Sequence, residues 1–389
     1  MDDHRLNLAR LSKPDPEYAA LFGDNPLPSG GFLTSQPLST LRAFHAERDR
    51  QIYTNSPTLG TSESIGTIPM RDGHASEIRI FRPPTLPNTG SPVIVLVFAG
   101  GYLVGTNMQM APLARALSAL YSATTITLSY RLAPEHPFPT AANDVWDSVA
   151  WIAQHASLLG ADTSAGFILG GVSAGANLTS VTAQRAAREK LSPPLTGIWV
   201  SEAVTTLTEA GLPEKYRGGG APWVSRTENA DAPILNLRDI ECSRVHYNPD
   251  VTSEDFSPFV HPDAVAGIPP AYIQVAGMDP LRDDGLIYER YLREKGVRTR
   301  LDVYPGLPHC HFALHPELAS SGKFVRDVEL GVGWLLGREG GALQQQQVAK
   351  VARSPVDYLR SMTGLLSWDA SRGALLGFAL STLVWSRFR

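Results

Sequence analysis

The chain has 389 residues, of which 43% are hydrophobic and 19% are charged, and its net charge at pH 7 is −4. This is the composition of a globular protein with enough length for a large core, and the slightly acidic balance argues against nucleic acid as a partner. Two cysteines, Cys242 and Cys310, are too few for a disulfide framework, and no secretory apolar run follows residues 1–5, so we expect an intracellular, cytoplasmic protein.

The first 60 residues are polar and helix-leaning, and prolines and a Gly-Gly pair interrupt them. Such a segment predicts a cap over residues 1–60 rather than a part of a sheet. Residues 78–81 then have the character of an edge strand, because two prolines follow them almost at once.

Apolar runs and helical patterns alternate through the middle of the chain. Residues 92–98 form a continuous apolar run, which is typical of a parallel strand buried on both faces. Further strands are predicted at residues 124–129, 167–169, 195–200, 271–275 and 299–304. Helices are predicted at residues 108–121, 140–155, 176–189, 281–295 and 316–336. This alternation predicts an α/β fold with a doubly wound, mostly parallel sheet.

Residues 203–266 break the alternation, with several prolines, three consecutive glycines and few periodic runs. The segment is too long for a plain loop in a compact core. We therefore expect a cap insertion over about 203–266, inside a core that spans residues 61–338.

Residues 339–389 predict a linker followed by an apolar C-terminal tail. Within the tail, residues 356–368 have an amphipathic helical pattern and residues 373–385 are apolar. At 1.5 Å per residue the apolar run reaches about 20 Å, short of a hydrocarbon core of about 30 Å. The pattern leaves open a peripheral membrane contact through residues 356–385, packing on the enzyme or a partner, and disorder.

Residues 171–175, Gly-Val-Ser-Ala-Gly, lie at a predicted strand-to-helix junction. A serine between two glycines at such a junction is typical of a nucleophile elbow. The sharp turn strains the backbone of Ser173, and the glycines let strand and helix cross closely. The N–H of Ala174 then lies at a helix N-terminus, where a developing anion is stabilised. The alternative is a Gly/Ser turn without chemistry.

Acyl transfer also needs a base and a carboxylate that orients it. Asp279 and His309 each follow a predicted strand by a few residues, as Ser173 does, and the order Ser, Asp, His is the one α/β-hydrolases use. In isolation Asp279 would be a turn residue and His309 a surface histidine. Their joint placement with Ser173 favours a catalytic triad.

The chain resembles the hormone-sensitive-lipase-like branch of the α/β-hydrolases, a family of carboxylesterases and lipases. The matching motifs are the highly specific signature Tyr-Arg-Leu-Ala-Pro-Glu-His-Pro-Phe-Pro at residues 130–139, the elbow at 171–175, the acidic motif at 279–285 and the histidine motif at 306–309. The resemblance covers roughly residues 60–338. It implies Ser173 as nucleophile, His309 as base and Asp279 as the orienting acid.

The resemblance also places the oxyanion hole at the backbone N–H groups of Gly100, Gly101 and Ala174. The family's His-Gly-Gly-Gly stretch falls on residues 98–101, where Phe and Ala replace the His and the first Gly. That His usually braces the loop, so this departure bears on the geometry of the hole.

Neighbouring residues compete for some of these roles. Asp283 and Asp284 are rival carboxylates, but they lie inside the next predicted helix. His311 is a rival base, but the family's Gly-x-x-His spacing favours His309. The histidines around Cys310 match no zinc pattern, so we expect no metal there and a buried structural thiol.

We therefore expect a serine hydrolase that cleaves a carboxylic ester of a small or medium apolar substrate through an acyl-enzyme, without a cofactor, in a specialised (secondary) metabolic pathway. An acyltransferase or lactone-processing enzyme with the same triad is one alternative. A non-catalytic small-molecule binding module is another, because the loop at residues 98–101 is altered. Tyr216 and Trp223 of the cap either line an acyl pocket or belong to the core.

Overall fold

The computed structural model describes residues 8–29, 31–87, 90–218 and 223–338, together with the backbone at residues 368–369 and 374–375. The strands of the main sheet are β1 (Ser62–Pro69), β2 (Ala75–Arg82), β3 (Val93–Val97), β4 (Thr124–Leu128), β5 (Phe167–Val172), β6 (Gly197–Ser201), β7 (Ala271–Ala276) and β8 (Thr299–Tyr304). Their order is β1-β2-β4-β3-β5-β6-β7-β8. β2 pairs antiparallel with β1 and with β4, and every other neighbouring pair is parallel. The predicted α/β fold with a mostly parallel sheet is confirmed.

Helices connect the parallel strands. The α-helices include α1 (Pro16–Ala20), α2 (Leu38–Asn55), α3 (Ala111–Tyr121), α4 (Thr140–His155), α5 (Ala174–Glu189), α6 (Ser225–Glu228), α7 (Leu237–Tyr247), α8 (Arg282–Glu294), α9 (His311–Leu314) and α10 (Ala319–Leu335). α3 packs against α10, and α4 packs against α5. Every residue of β3, β5, β6 and β7 is buried, as expected for parallel strands covered on both faces.

The sheet begins one strand earlier than the sequence predicts. The edge strand expected at residues 78–81 is wrong in its position, because β2 lies between β1 and β4. The true edge strand, β1, has one buried residue, Ile68, so its sequence shows no apolar run. Two-sided exposure removes the periodic signal on which a strand prediction depends.

The two segments predicted as caps are joined to each other. α7, which the sequence does not reveal, begins with a capping box between Asn236 and Asp239. The Asp239 carboxylate also accepts from the backbone N–H groups of Phe32, Leu33 and Thr34, over 2.7, 2.9 and 3.0 Å. The N-terminal segment is therefore hydrogen-bonded to the insertion. The domain boundaries at residues 60, 203, 266 and 338 stay predictions.

The predicted C-terminal tail lies outside the described residues, with one exception. The backbones of residues 368–369 and 374–375 form a two-residue antiparallel ladder, which pairs Trp368 with Leu375. Trp368 is therefore extended, and not the last residue of a helix as predicted. In the described part of the chain, no helix has both the length and the apolar character needed to cross a bilayer.

Candidate active site

The nucleophile elbow has the strained geometry that its sequence predicts. β5 ends at Val172, Ser173 has φ 56° and ψ −120°, and α5 begins at the next residue. A Cβ on Gly171 would lie 2.3 Å from the carbonyl oxygen of Gly175, and a Cβ on Gly175 would lie 2.4 Å from that of Val97. Only glycine allows this approach of strand and helix.

Ser173, His309 and Asp279 form a continuous hydrogen-bond chain. Ser173 Oγ lies 2.9 Å from His309 Nε2, and His309 Nδ1 lies 2.7 Å from Asp279 Oδ2. All three side chains are buried, and Asp279 is fully so. The carboxylate fixes the tautomer with Nδ1 protonated, which leaves Nε2 free to accept the hydroxyl proton of Ser173.

The rival residues serve other purposes. Asp283 accepts from the N–H groups of Val224 and Ser225, and Asp284 accepts from the N–H of Thr205, so both carboxylates anchor the segment that follows β6. His311 is buried, and neither ring nitrogen has a hydrogen-bond partner in the described residues. The structure thus brings His309 rather than His311 between nucleophile and acid.

The pKa of His309 is held well above its usual value. Burial of the imidazole lowers this pKa, but the Asp279 carboxylate with its hydrogen bond and the neighbouring Cys310 side chain together raise it more. Burial of the Cys310 thiol raises its pKa to about 11, so the thiolate is scarce at neutral pH and the thiol is a poor nucleophile.

Besides Ser173, His309 and Asp279, the site contains a second carboxylate, Glu202, which is not predicted from the sequence. It follows β6 directly, and its Oε2 lies 3.7 Å from His309 Nδ1. The available signal is its place two residues after the predicted strand at 195–200, at the same sheet edge as the triad residues. In the described residues, Glu202, His309 and Cys310 offer ligand atoms within 4.8 Å of one another. Both nitrogens of His309 are already hydrogen-bonded, and the absence of a metal stays a prediction.

The predicted oxyanion donors Gly100, Gly101 and Ala174 lie beside Ser173 in the wall of one cavity. Their backbone N–H groups have no acceptor among the residues that the structure describes. Such unpaired donors at a helix N-terminus and in a glycine loop can hold an oxyanion.

The loop at residues 98–101 is braced by Gln109 and Tyr130, which no sequence pattern marks for this role. The N–H of Ala99 donates to Gln109 Oε1 over 2.8 Å. The ring of Phe98 stacks on Tyr130 of the signature, with centroids 4.1 Å apart, and the Tyr130 hydroxyl donates to the Phe98 carbonyl oxygen over 3.2 Å. The family's missing His is thus replaced by an amide side chain and an aromatic stack.

The cavity beside Ser173 has a volume of about 230 Å³ and mostly apolar walls. Apolar side chains reach it from α2, α3, α7 and α10, among them Ile52, Leu113, Ala116, Ile240, Phe324 and Val328. Tyr216 and Trp223 do not line it: the Tyr216 hydroxyl donates to Glu294, and the Trp223 indole donates to Asp284. Both partners lie on the core helix α8, and the two aromatic residues pack in or against the hydrophobic core rather than in an acyl pocket.

The sheet, the elbow and the Ser-His-Asp geometry define the α/β-hydrolase class. A family model described as the α/β-hydrolase fold matches residues 94–313, which is more than half of the chain. The chain belongs to the α/β-hydrolase family, and its resemblance to the hormone-sensitive-lipase-like carboxylesterases is confirmed.

Individual relatives indicate which activity the chain has within this family. An AB hydrolase superfamily protein of Schizosaccharomyces pombe is 32% identical over 329 residues, 84% of this chain and 95% of that protein. Carboxylesterase NlhH of Mycobacterium tuberculosis is 36% identical over 248 residues, 61% of this chain and 72% of that protein. The crystal structure of vibralactone cyclase matches with a TM-score of 0.75 at 29% identity, over 85% of this chain and 96% of that one. The chain is an enzyme, an α/β-hydrolase esterase, and not the non-catalytic binding module that the altered loop had left open.

Proposed function

We propose that the enzyme cleaves carboxylic esters of small or medium apolar substrates through an acyl-enzyme on Ser173. The observation that carries the proposal is the hydrogen-bond chain from Ser173 through His309 to Asp279, set in the wall of an apolar cavity. The cavity's volume suits a ligand of modest size, and its apolar walls favour hydrocarbon over charged groups.

In the proposed mechanism Ser173 Oγ attacks the ester carbonyl carbon while its proton moves to His309 Nε2. Asp279 holds the imidazole in place and stabilises the imidazolium that forms. The N–H groups of Gly100, Gly101 and Ala174 hold the negative oxygen of the tetrahedral intermediate.

The imidazolium then gives its proton to the leaving alkoxide, and the alcohol departs. Water attacks the acyl-enzyme with His309 as base, and the acid leaves as Ser173 regains its proton. No cofactor enters this sequence of steps, because each proton and each charge has a protein group to receive it.

The test is covalent trapping. A fluorophosphonate probe should add to the wild-type enzyme with loss of p-nitrophenyl butyrate turnover, and Ser173→Ala should neither bind the probe nor turn over the ester. Ser180→Ala is the matched control, since Ser180 is a buried serine of α5, the helix that follows Ser173, and its hydroxyl donates to the Ala176 carbonyl oxygen. Labelling of Ser173→Ala would overturn the proposal.

A second candidate is acyl transfer or lactone formation in a specialised metabolic pathway, favoured by the similarity to vibralactone cyclase. Here a hydroxyl group of an acceptor or of the acyl chain itself replaces water in the second half of the reaction. Supplying an ω-hydroxy ester and analysing the products separates the candidates, because lactone marks cyclisation and free hydroxy acid marks hydrolysis.

We further propose, from the sequence alone, that residues 356–385 make a peripheral membrane contact. Apolar runs flanked by arginine and tryptophan suit a bilayer interface. Co-sedimentation of the full chain with liposomes, compared with a chain ending at Arg338, tests this. Equal amounts of both proteins in the liposome pellet would contradict it.

A further inference from the structure

Glu202 brings a second carboxylate to the site, and its own backbone is strained. It is 2% exposed and has φ 51°. A positive φ is uncommon for glutamate, and such strain gathers at functional sites. Its N–H donates to the Gln274 carbonyl oxygen over 2.9 Å, while the Ser201 carbonyl oxygen accepts from the Ser173 N–H over 2.9 Å. The end of β6 therefore contacts two triad residues. The Ser201 backbone binds the backbone of Ser173, and the Glu202 side chain lies near the imidazole of His309.

Only one of the two carboxyl oxygens of Glu202 has a hydrogen-bond partner in the described residues. Oε2 accepts the backbone N–H of Cys310 over 2.8 Å, which fixes the residue next to His309. Oε1 is buried and has no hydrogen-bond partner in the part of the chain that is described. An unpaired carboxyl oxygen is costly in a protein interior, so its presence calls for a function. Rotation of the carboxyl group or the imidazole would close the 3.7 Å distance between Glu202 and His309 Nδ1.

We propose that Glu202 is a positioning residue for His309 and its reserve carboxylate when Asp279 is absent. The inference rests on the proposed esterase mechanism. During attack the proton of Ser173 moves to His309 Nε2 and the Nδ1 proton stays on the ring, so neither carboxylate gains a proton. Glu202 supplies an acceptor and negative charge that face the imidazolium.

The charges around Glu202 support this role. The groups that face it are the His309 imidazole, the Asp279 carboxylate and the Cys310 thiol. Burial raises the pKa of Glu202 to about 7; the Asp279 charge raises it too, and His309 opposes both. Removing the Asp279 charge therefore lowers the pKa of Glu202. The reserve carboxylate is therefore ionised to a greater extent in the variant that needs it.

A double-mutant cycle tests the proposal. We compare wild-type enzyme, Asp279→Asn, Glu202→Gln and the double variant by kcat/KM for p-nitrophenyl butyrate. Loss of a triad carboxylate costs about 10⁴-fold when nothing replaces it. We expect Asp279→Asn to lose about 10²-fold, Glu202→Gln to lose under about 10-fold, and the double variant to fall to about 10⁴-fold below wild type. Equal rates for Asp279→Asn and the double variant would overturn the reserve role.

Glutamine at position 202 keeps an oxygen for the Cys310 N–H, so the variant removes charge and spares the loop. Glu329→Gln is the matched control, because Glu329 is a second buried carboxyl group whose oxygens have no hydrogen-bond partner among the described residues. Thermal unfolding of each variant shows that it is folded.

The pH profile of Glu202→Gln alone gives an independent readout. Removing negative charge beside His309 lowers the imidazole pKa, so the acid limb of kcat/KM should move to lower pH, while Glu329→Gln leaves it in place. If the acid limb of kcat/KM stays at the same pH in Glu202→Gln, the positioning role is overturned. Ser173→Ala separates the two proposals: if it retains turnover, the esterase mechanism fails and this inference with it.

Discussion

Gln109 holds Ala99 at both of its backbone groups. The Ala99 N–H donates to Gln109 Oε1 over 2.8 Å, and Gln109 Nε2 approaches the Ala99 carbonyl oxygen at 3.4 Å. Ala99 immediately precedes the proposed oxyanion glycines, so the side chain of Gln109 fixes the direction of their N–H groups. A single amide side chain thereby braces a loop that lacks the family's histidine.

We expect Gln109→Ala to lower kcat by roughly 10- to 100-fold with a smaller change in KM. Loss of one oxyanion donor costs about 10²- to 10³-fold, and a displaced loop should cost less than a missing donor. Gln109→Glu keeps the acceptor for the Ala99 N–H and should retain more activity than Gln109→Ala. Steady-state kinetics with p-nitrophenyl butyrate measures both, and a rise in KM at unchanged kcat would show that Gln109 contacts substrate instead.

We expect His309→Ala to be as damaging as Ser173→Ala and His311→Ala to be much milder in rate. His309 contacts both the nucleophile and the acid, whereas the ring of His311 packs against Phe324 with centroids 5.5 Å apart. Burial lowers the pKa of His311 to about 3, so it stays neutral and acts as a core side chain. Rates and unfolding temperatures together check this: a low rate in well-folded His311→Ala would reassign the base.

The acid limb of kcat/KM is expected above pH 6.5, the ordinary pKa of histidine. Burial lowers the pKa of His309, Asp279 and Cys310 together raise it more, and the net direction is upward. Only the neutral imidazole accepts the proton of Ser173, so a raised pKa makes the rate fall at a higher pH as acid is added. A profile from about pH 5 to about pH 10 locates the limb. A limb at or below pH 6.5 would mean that the groups around the imidazole do not outweigh the effect of its burial.

The sequence predicts the parallel sheet well because buried strands are continuous apolar runs. It predicts the triad because the carboxyl ends of parallel strands meet at one edge of the sheet. Residues that follow different strands, such as Ser173 and His309, can therefore be predicted to lie close together. A half-exposed edge strand such as β1 has no comparable signal.

The contacts of Gln109 and Glu202 could not be predicted from the sequence, for a different reason. Each contacts backbone groups through its side chain, Gln109 at Ala99 and Glu202 at Cys310, and such hydrogen bonds leave no periodic pattern in the sequence. An acidic residue after a strand is usually a turn or cap residue, so Glu202 stands out only once its burial and its distance from His309 are known. The helix α7 is equally obscure, because its apolar positions are few.

The Asp239 carboxylate joins the two predicted cap segments by hydrogen bonds. Asp239 is buried and accepts the N–H groups of Phe32, Leu33 and Thr34. Asp239→Asn replaces one acceptor oxygen by a donor that faces those N–H groups, so we expect a loss of about 1–3 kcal/mol in the free energy of unfolding. Faster proteolysis near residues 31–34 should accompany it. Asp250→Asn is the control, since Asp250 makes a similar carboxylate turn with Thr252 on the surface and should leave stability unchanged. Equal stability of the two variants would show that the hydrogen bonds of Asp239 do not stabilise the attachment of the N-terminal segment.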